Sequence, residues 1–134
     1  MNVALSEAIL FRALAVGAGG FLGASLRYLV GALVSRNVPT LFPLATFVIN
    51  VSGCFGIGFL AVLAEERWAM GPEARLFWTA GVLGGYTTFS TFGYETLTLA
   101  RDGSYALAAV TVMGQVALGL LAVWAGAVAA RALS

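Results

Sequence analysis

The sequence has no histidine, no lysine and a single cysteine, Cys54. Without histidine a Ser-His-Asp triad is excluded, and with one cysteine neither a Cys/His metal site nor a disulfide framework can be built within one subunit. No glycine-rich phosphate loop followed by Lys-Ser/Thr occurs either, so the chain is not expected to be an enzyme. Charge is scarce as well: seven basic and six acidic residues make up 10% of 134 residues, and no nucleic-acid partner is expected. Soluble domains carry about a quarter charged residues. What is abundant is apolar surface, 60% of the chain, with a mean hydropathy of +0.95. A chain so poor in polar coat belongs in a lipid bilayer, as a multi-pass protein of the cell inner (plasma) membrane.

Four apolar runs lie at 8–34, 43–64, 75–100 and 104–133, each near or above the roughly 20 residues that cross the hydrocarbon as a helix. The connections hold turn formers: Ser35 to Pro39, Glu65 through Arg67 to Gly71-Pro72, and Arg101-Asp102-Gly103. No room remains for a soluble unit, so 1–134 reads as a single transmembrane domain. The runs are continuous in Ala, Leu and Gly and do not alternate, which favours helices over a β-barrel. The start, MNVALSEAILFRALAV, has no basic stretch ahead of its apolar run and reads as the first span.

All seven basic residues are arginine. Alternate crossings put Arg12, Arg67, Arg75 and Arg131 on one side and Arg27, Arg36 and Arg101 on the other, too even for the positive-inside rule to orient the chain. Two readings fit: insertion in both orientations, or a short chain with few charges to count. Glycines at GxxxG spacing, Gly19 with Gly23 and Gly81 with Gly85, mark helices that pack closely.

Polar residues interrupt the apolar runs. Thr46 and Asn50 share a face of the second span with Gly53 and Ile57. Asn50 either bonds to a neighbouring helix as glue or turns its amide donors toward a pathway. In the fourth span Thr111 can satisfy its own hydroxyl on the backbone, whereas the amide of Gln115 cannot be hidden that way. Cys54 reads as a small packing residue.

The run GVLGGYTTFSTFGYET, from Gly81 to Thr96, is the most unusual. Gly84 and Gly85 each lower helix propensity by about 1 kcal/mol, and Thr87 and Thr88 can bond backbone groups, so the third helix is expected to break there. An unwound turn would offer carbonyl oxygens to a cation. Beyond it Thr88, Thr91, Phe92 and Glu95 fall on one stripe, with Phe89 at its margin. Hydroxyls donate hydrogen bonds and ring edges are electropositive, features that suit an anion. Glu95 is a carboxylate within a span and a functional candidate for that reason.

GGYTTFSTFGYE, with ATFVINVSG in the second span and GGFLGASLRY in the first, resembles the Fluc (CrcB) family of fluoride channels across essentially the whole chain. The resemblance implies an all-α membrane protein of four transmembrane helices per subunit with the third helix broken. It further implies an antiparallel, dual-topology homodimer that exports toxic cytoplasmic fluoride passively through two pores. It assigns a central structural sodium ion to the backbone carbonyls of Gly84 and Thr87. Phe89 and Phe92 match the ring-edge phenylalanines of the pores, and Asn50 the pore asparagine with Thr46 one turn away. Arg27 matches a vestibule arginine, and Ser90, Thr91 and Glu95 the hydroxyl-and-carboxylate stretch. Where some relatives carry a tyrosine and two serines in the fourth span, this chain has Thr111, Gln115 and Gly119, so Thr111 and Gln115 join the candidate lining. The rival reading is a small proton-coupled multidrug-type exporter. It needs a deep acidic residue in the first span, and that span offers only Glu7 at its start.

Overall fold

The computed structural model describes residues 3–66 and 71–133; Arg67, counted above at a membrane boundary, lies outside the described residues. Those residues are mostly helical, with no strand among them. Helices α1 (Val3–Asn37), α2 (Leu44–Glu66) and α6 (Tyr105–Ala132) are continuous, and each contains a stretch long and apolar enough to cross a membrane. The third span is assembled from pieces. A short α3 (Pro72–Leu76) leads into a π-helical segment (Phe77–Leu83), one α-turn, α4 (Gly84–Tyr86), follows, and after an interruption α5 (Phe89–Arg101) completes the crossing. The chain is therefore an all-α, multi-pass membrane protein with four spans and a broken third.

The ends have local causes. Pro72 occupies the first turn of α3, where its missing N–H costs nothing. After α5 the chain reverses at Gly103, whose φ of 79° is the only positive value among the described residues. Ser104 N–H donates to Leu99 O at 2.9 Å and Gly103 N–H to Ala100 O at 3.1 Å, a Schellman closure that needs glycine there.

The spans pair in parallel, first with third and second with fourth. A Cβ on Gly19 would strike the Phe77 carbonyl, one on Gly23 the Val82 carbonyl, and one on Gly85 would lie 2.7 Å from the Gly20 carbonyl. The two GxxxG pairs thus meet each other inside one chain, bringing α1 against the third span backbone to backbone. In the other pair Gly58 abuts Val123 and Gly126 abuts Phe55 in the same way. Phe59, Val62 and Leu63 of α2 pack with Ala127 and Ala130 of α6 to form the buried apolar cluster at that end. Two exposed ion pairs, Arg12 with Glu73 at 3.5 Å and Arg75 with Glu65 at 3.3 Å, gather α1, α2 and α3 at one boundary; pairs so exposed contribute little energy.

The break differs from expectation in position. Gly84 and Gly85 remain helical, Gly84 at φ −63° and ψ −39°. The chain extends instead at Thr87 (φ −79°, ψ 159°) and Thr88 (φ −150°, ψ 113°). Gly85 is needed for its close approach to α1 and not for unwinding.

Candidate functional site

What opens the third span is visible in the hydrogen bonds around it. In a continuous helix the Thr88 N–H would bond the Gly84 carbonyl, and the Thr91 N–H the Thr87 carbonyl. Here Thr88 N–H donates to Asn50 Oδ1 at 2.8 Å. Thr91 N–H donates to Thr88 Oγ1 at 3.2 Å, which makes Thr88 the N-cap of α5. Both helical donors are diverted, and the carbonyls of Gly84 and Thr87 lose the partners a helix would have given them. Thr87 contributes on the near side, its hydroxyl donating to Leu83 O at 3.1 Å.

Asn50 holds this geometry from α2. Its Nδ2 donates to Thr88 O at 3.0 Å and to Gln115 Oε1 at 2.8 Å. The orientation of the asparagine amide is fixed because Thr88 offers it one unambiguous donor and one unambiguous acceptor. Gln115 must then present its oxygen to Asn50, and its Nε2 is left buried without a protein partner. Asn50 is thus glue between α2, the break and α6, and the unused amide donors belong to Gln115.

These residues border a groove of about 390 Å³, lined by Asn50, Gly84, Thr87, Phe89, Phe92 and Gln115 together with Cys54 and apolar neighbours. The rings of Phe89 and Phe92 lie 5.5 Å apart at an interplanar angle of 57°. Phe89 is 84% exposed, so one wall of the groove stands open on the surface of the chain. A second recess, of about 610 Å³, collects Arg27, Thr46, Ser90 and Thr91. Thr88 lines both and forms the seam between them. The hydroxyl and phenyl residues of α5 therefore do not form one stripe: Phe89 and Phe92 face the groove while Ser90 and Thr91 face the recess.

Thr46 is buried and donates to Glu95 Oε1 at 2.9 Å. The other carboxylate oxygen, Oε2, is buried with no partner, beside a third recess that also includes Asp102. Thr111 stands apart from all three recesses. It is fully buried, and its hydroxyl donates to Leu107 O at 2.8 Å, the self-satisfaction open to any membrane threonine. No group of three or more His, Cys, Asp or Glu side chains that could hold a metal occurs among the described residues; a cation at this site would depend on backbone and hydroxyl oxygens.

Two residues escaped the sequence reading. Tyr86, 9% exposed, places its hydroxyl 2.9 Å from Ser52 Oγ on α2. The available signal was a tyrosine phenol in the middle of a membrane span, which needs a partner.

The family described as "CrcB-like protein, Camphor Resistance (CrcB)" matches residues 14–127. A protein of Solibacter usitatus named "Fluoride-specific ion channel FluC" is 45% identical over 118 residues, 88% of this chain and 97% of its own length. Similar proteins of the same name occur in Chlorobium luteolum, 47% identical over 88% of this chain and 91% of the relative, and in Chlorobaculum tepidum, 48% identical over 88% and 93%.

Proposed function

The chain belongs to the CrcB-like family, and from that premise we propose that it is a fluoride-selective channel that lets cytoplasmic fluoride out passively, with no chemical step. The observation that carries this reading is the groove in which the unused amide of Gln115 is found with the rings of Phe89 and Phe92. Fluoride is small and strongly hydrated. It gives up water only for hydrogen-bond donors and positive ring edges held in place, and such a dry lining offers less to a larger, weakly hydrogen-bonding anion. Arg27 in the neighbouring recess supplies positive charge at the approach.

A second, antiparallel copy would complete two such pathways. Phe89 projects from the surface, and a mostly exposed phenyl at a groove wall fits a surface that another subunit covers. The diverted carbonyls of Gly84 and Thr87 fit a sodium ion at the centre of the pair, because partial negative charge in a bilayer interior requires a partner. Such an ion would supply positive charge beside the anion path and a bond between subunits.

Gly84 separates the contributions of one chain and two. Within the chain a Cβ there meets nothing closer than the Thr79 carbonyl at 3.7 Å, and the backbone is ordinary helix. Gly84→Val is therefore expected to leave the single chain folded but to abolish the dimer, read by crosslinking or by light scattering in detergent. A dimer of wild-type stability would remove this residue from the interface.

The central test is efflux from liposomes reconstituted with the purified protein. Fluoride is expected to leave while chloride is retained. Equal loss of both ions would overturn selectivity, and retention of fluoride would overturn the channel. The exporter reading finds no support: the described first span holds no acidic residue beyond Glu7.

A further inference from the structure

Ser52 and Tyr86 take no part in the groove, yet they hold the break from its upstream side. Ser52 donates its own proton to Ile49 O at 3.1 Å, so in the 2.9 Å contact between the hydroxyls the Tyr86 phenol is the donor. Between Ser52 and Asn50 on one side and the break on the other there is no slack. A Cβ on Gly53 would collide with the Thr87 side chain and lie 3.3 Å from Tyr86 Cδ1. Helix α2 therefore touches three consecutive residues, the last of α4 and the two of the break: Tyr86 through Ser52, Thr87 through Gly53 and Thr88 through Asn50.

The Thr87 carbonyl lies between the two anchors, the Tyr86 hydroxyl and the Thr88 N–H. Thr87 C=O and Thr88 N–H belong to one planar trans peptide and point in opposite directions. Asn50 draws the N–H toward α2, so the Thr87 carbonyl is turned away from α2. On the other side of that plane Thr87 is held to its own helix, its N–H and hydroxyl donating to Leu83 O at 3.0 and 3.1 Å. The Tyr86 hydroxyl ties that helix end to α2, so both sides of the plane take their position from α2. We propose that Ser52 and Tyr86 are positioning residues whose hydrogen bond aims the Thr87 carbonyl at the cation site. This rests on the cation reading above.

The test reads sodium binding apart from transport. The melting temperature of the detergent-purified protein, exchanged at length into an organic-cation buffer, is followed as sodium is added back. Fluoride efflux at saturating sodium is measured in parallel. In Tyr86→Phe the ring packing stays and the hydroxyl goes. The sodium concentration at half-effect is expected to rise about threefold to tenfold, the scale of one hydrogen bond, while efflux at saturating sodium stays within about twofold of wild type. Ser52→Ala should give the same shift, the double variant no more than either single one, and Ser52→Thr the wild-type value. A wild-type protein indifferent to sodium would overturn the cation reading and this proposal together. A sodium-sensitive wild type with an unmoved Tyr86→Phe would overturn the positioning role alone. So would a shift accompanied by loss of the dimer in saturating sodium, since that describes general loosening.

Discussion

Replacing Phe92 with isoleucine is expected to cut fluoride efflux by about a hundredfold while leaving the chain folded. Phe92 is half-buried at the groove wall, 5.5 Å from the ring of Phe89. Isoleucine keeps an apolar side chain of moderate size, so packing at the groove wall is largely retained. What it removes is the electropositive ring edge. An anion already stripped of water loses that part of its compensation, and in a dry passage the loss is about 2–3 kcal/mol. At tenfold per 1.36 kcal/mol, that barrier gives roughly two orders of magnitude. Efflux from liposomes, with circular dichroism and elution volume as controls on folding, decides the matter. Efflux equal to wild type would make the ring a packing residue.

The same substitution shows what could and could not be read from the chain alone. The four apolar runs correspond to the four spans because length and hydropathy are properties of local sequence, and the turn at Asp102-Gly103 was visible for the same reason. That the third span breaks was legible in GGYTT, but the position of the break was not. Glycine's weakness in a helix is about 1 kcal/mol, and packing of Gly85 against Gly20 outweighs it. Asn50, 38 residues away in sequence, takes the Thr88 N–H and sets the break two to three residues later. Helical spacing likewise grouped Thr91 with Phe92, whereas α5 lies between two cavities and presents one residue to each. Which side of a helix meets which cavity is decided by neighbours, and no periodicity within α5 records it.

Asn50 joins α2, the break and α6, and its replacement by leucine is expected to have the most severe effect of any single change at the site. Leucine has the same branched skeleton of four side-chain heavy atoms as asparagine, so it fills the position without leaving a cavity. It removes three hydrogen bonds at once: from Thr88 N–H, to Thr88 O and to Gln115 Oε1. In lipid, groups released in this way have no water to turn to. The Thr88 N–H has one nearby recourse, the Gly84 carbonyl that a continuous helix would give it, so the span is expected to heal toward a straight helix. Healing withdraws the Gly84 carbonyl from any cation, swings Phe89 and Phe92 out of the groove, and frees the Gln115 amide to rotate. Fluoride efflux should therefore fall below detection, and any stabilisation by sodium should vanish with it. Asn50→Asp separates the two halves of the effect: the carboxylate can still accept from Thr88 N–H and keep the span open, but it cannot donate to Gln115. That variant should retain sodium-dependent melting while losing efflux by about a hundredfold or more, because a fixed negative charge would stand in the groove. If Asn50→Leu retained both sodium-dependent melting and efflux, the break would be encoded within the third span itself and Asn50 would be a bystander.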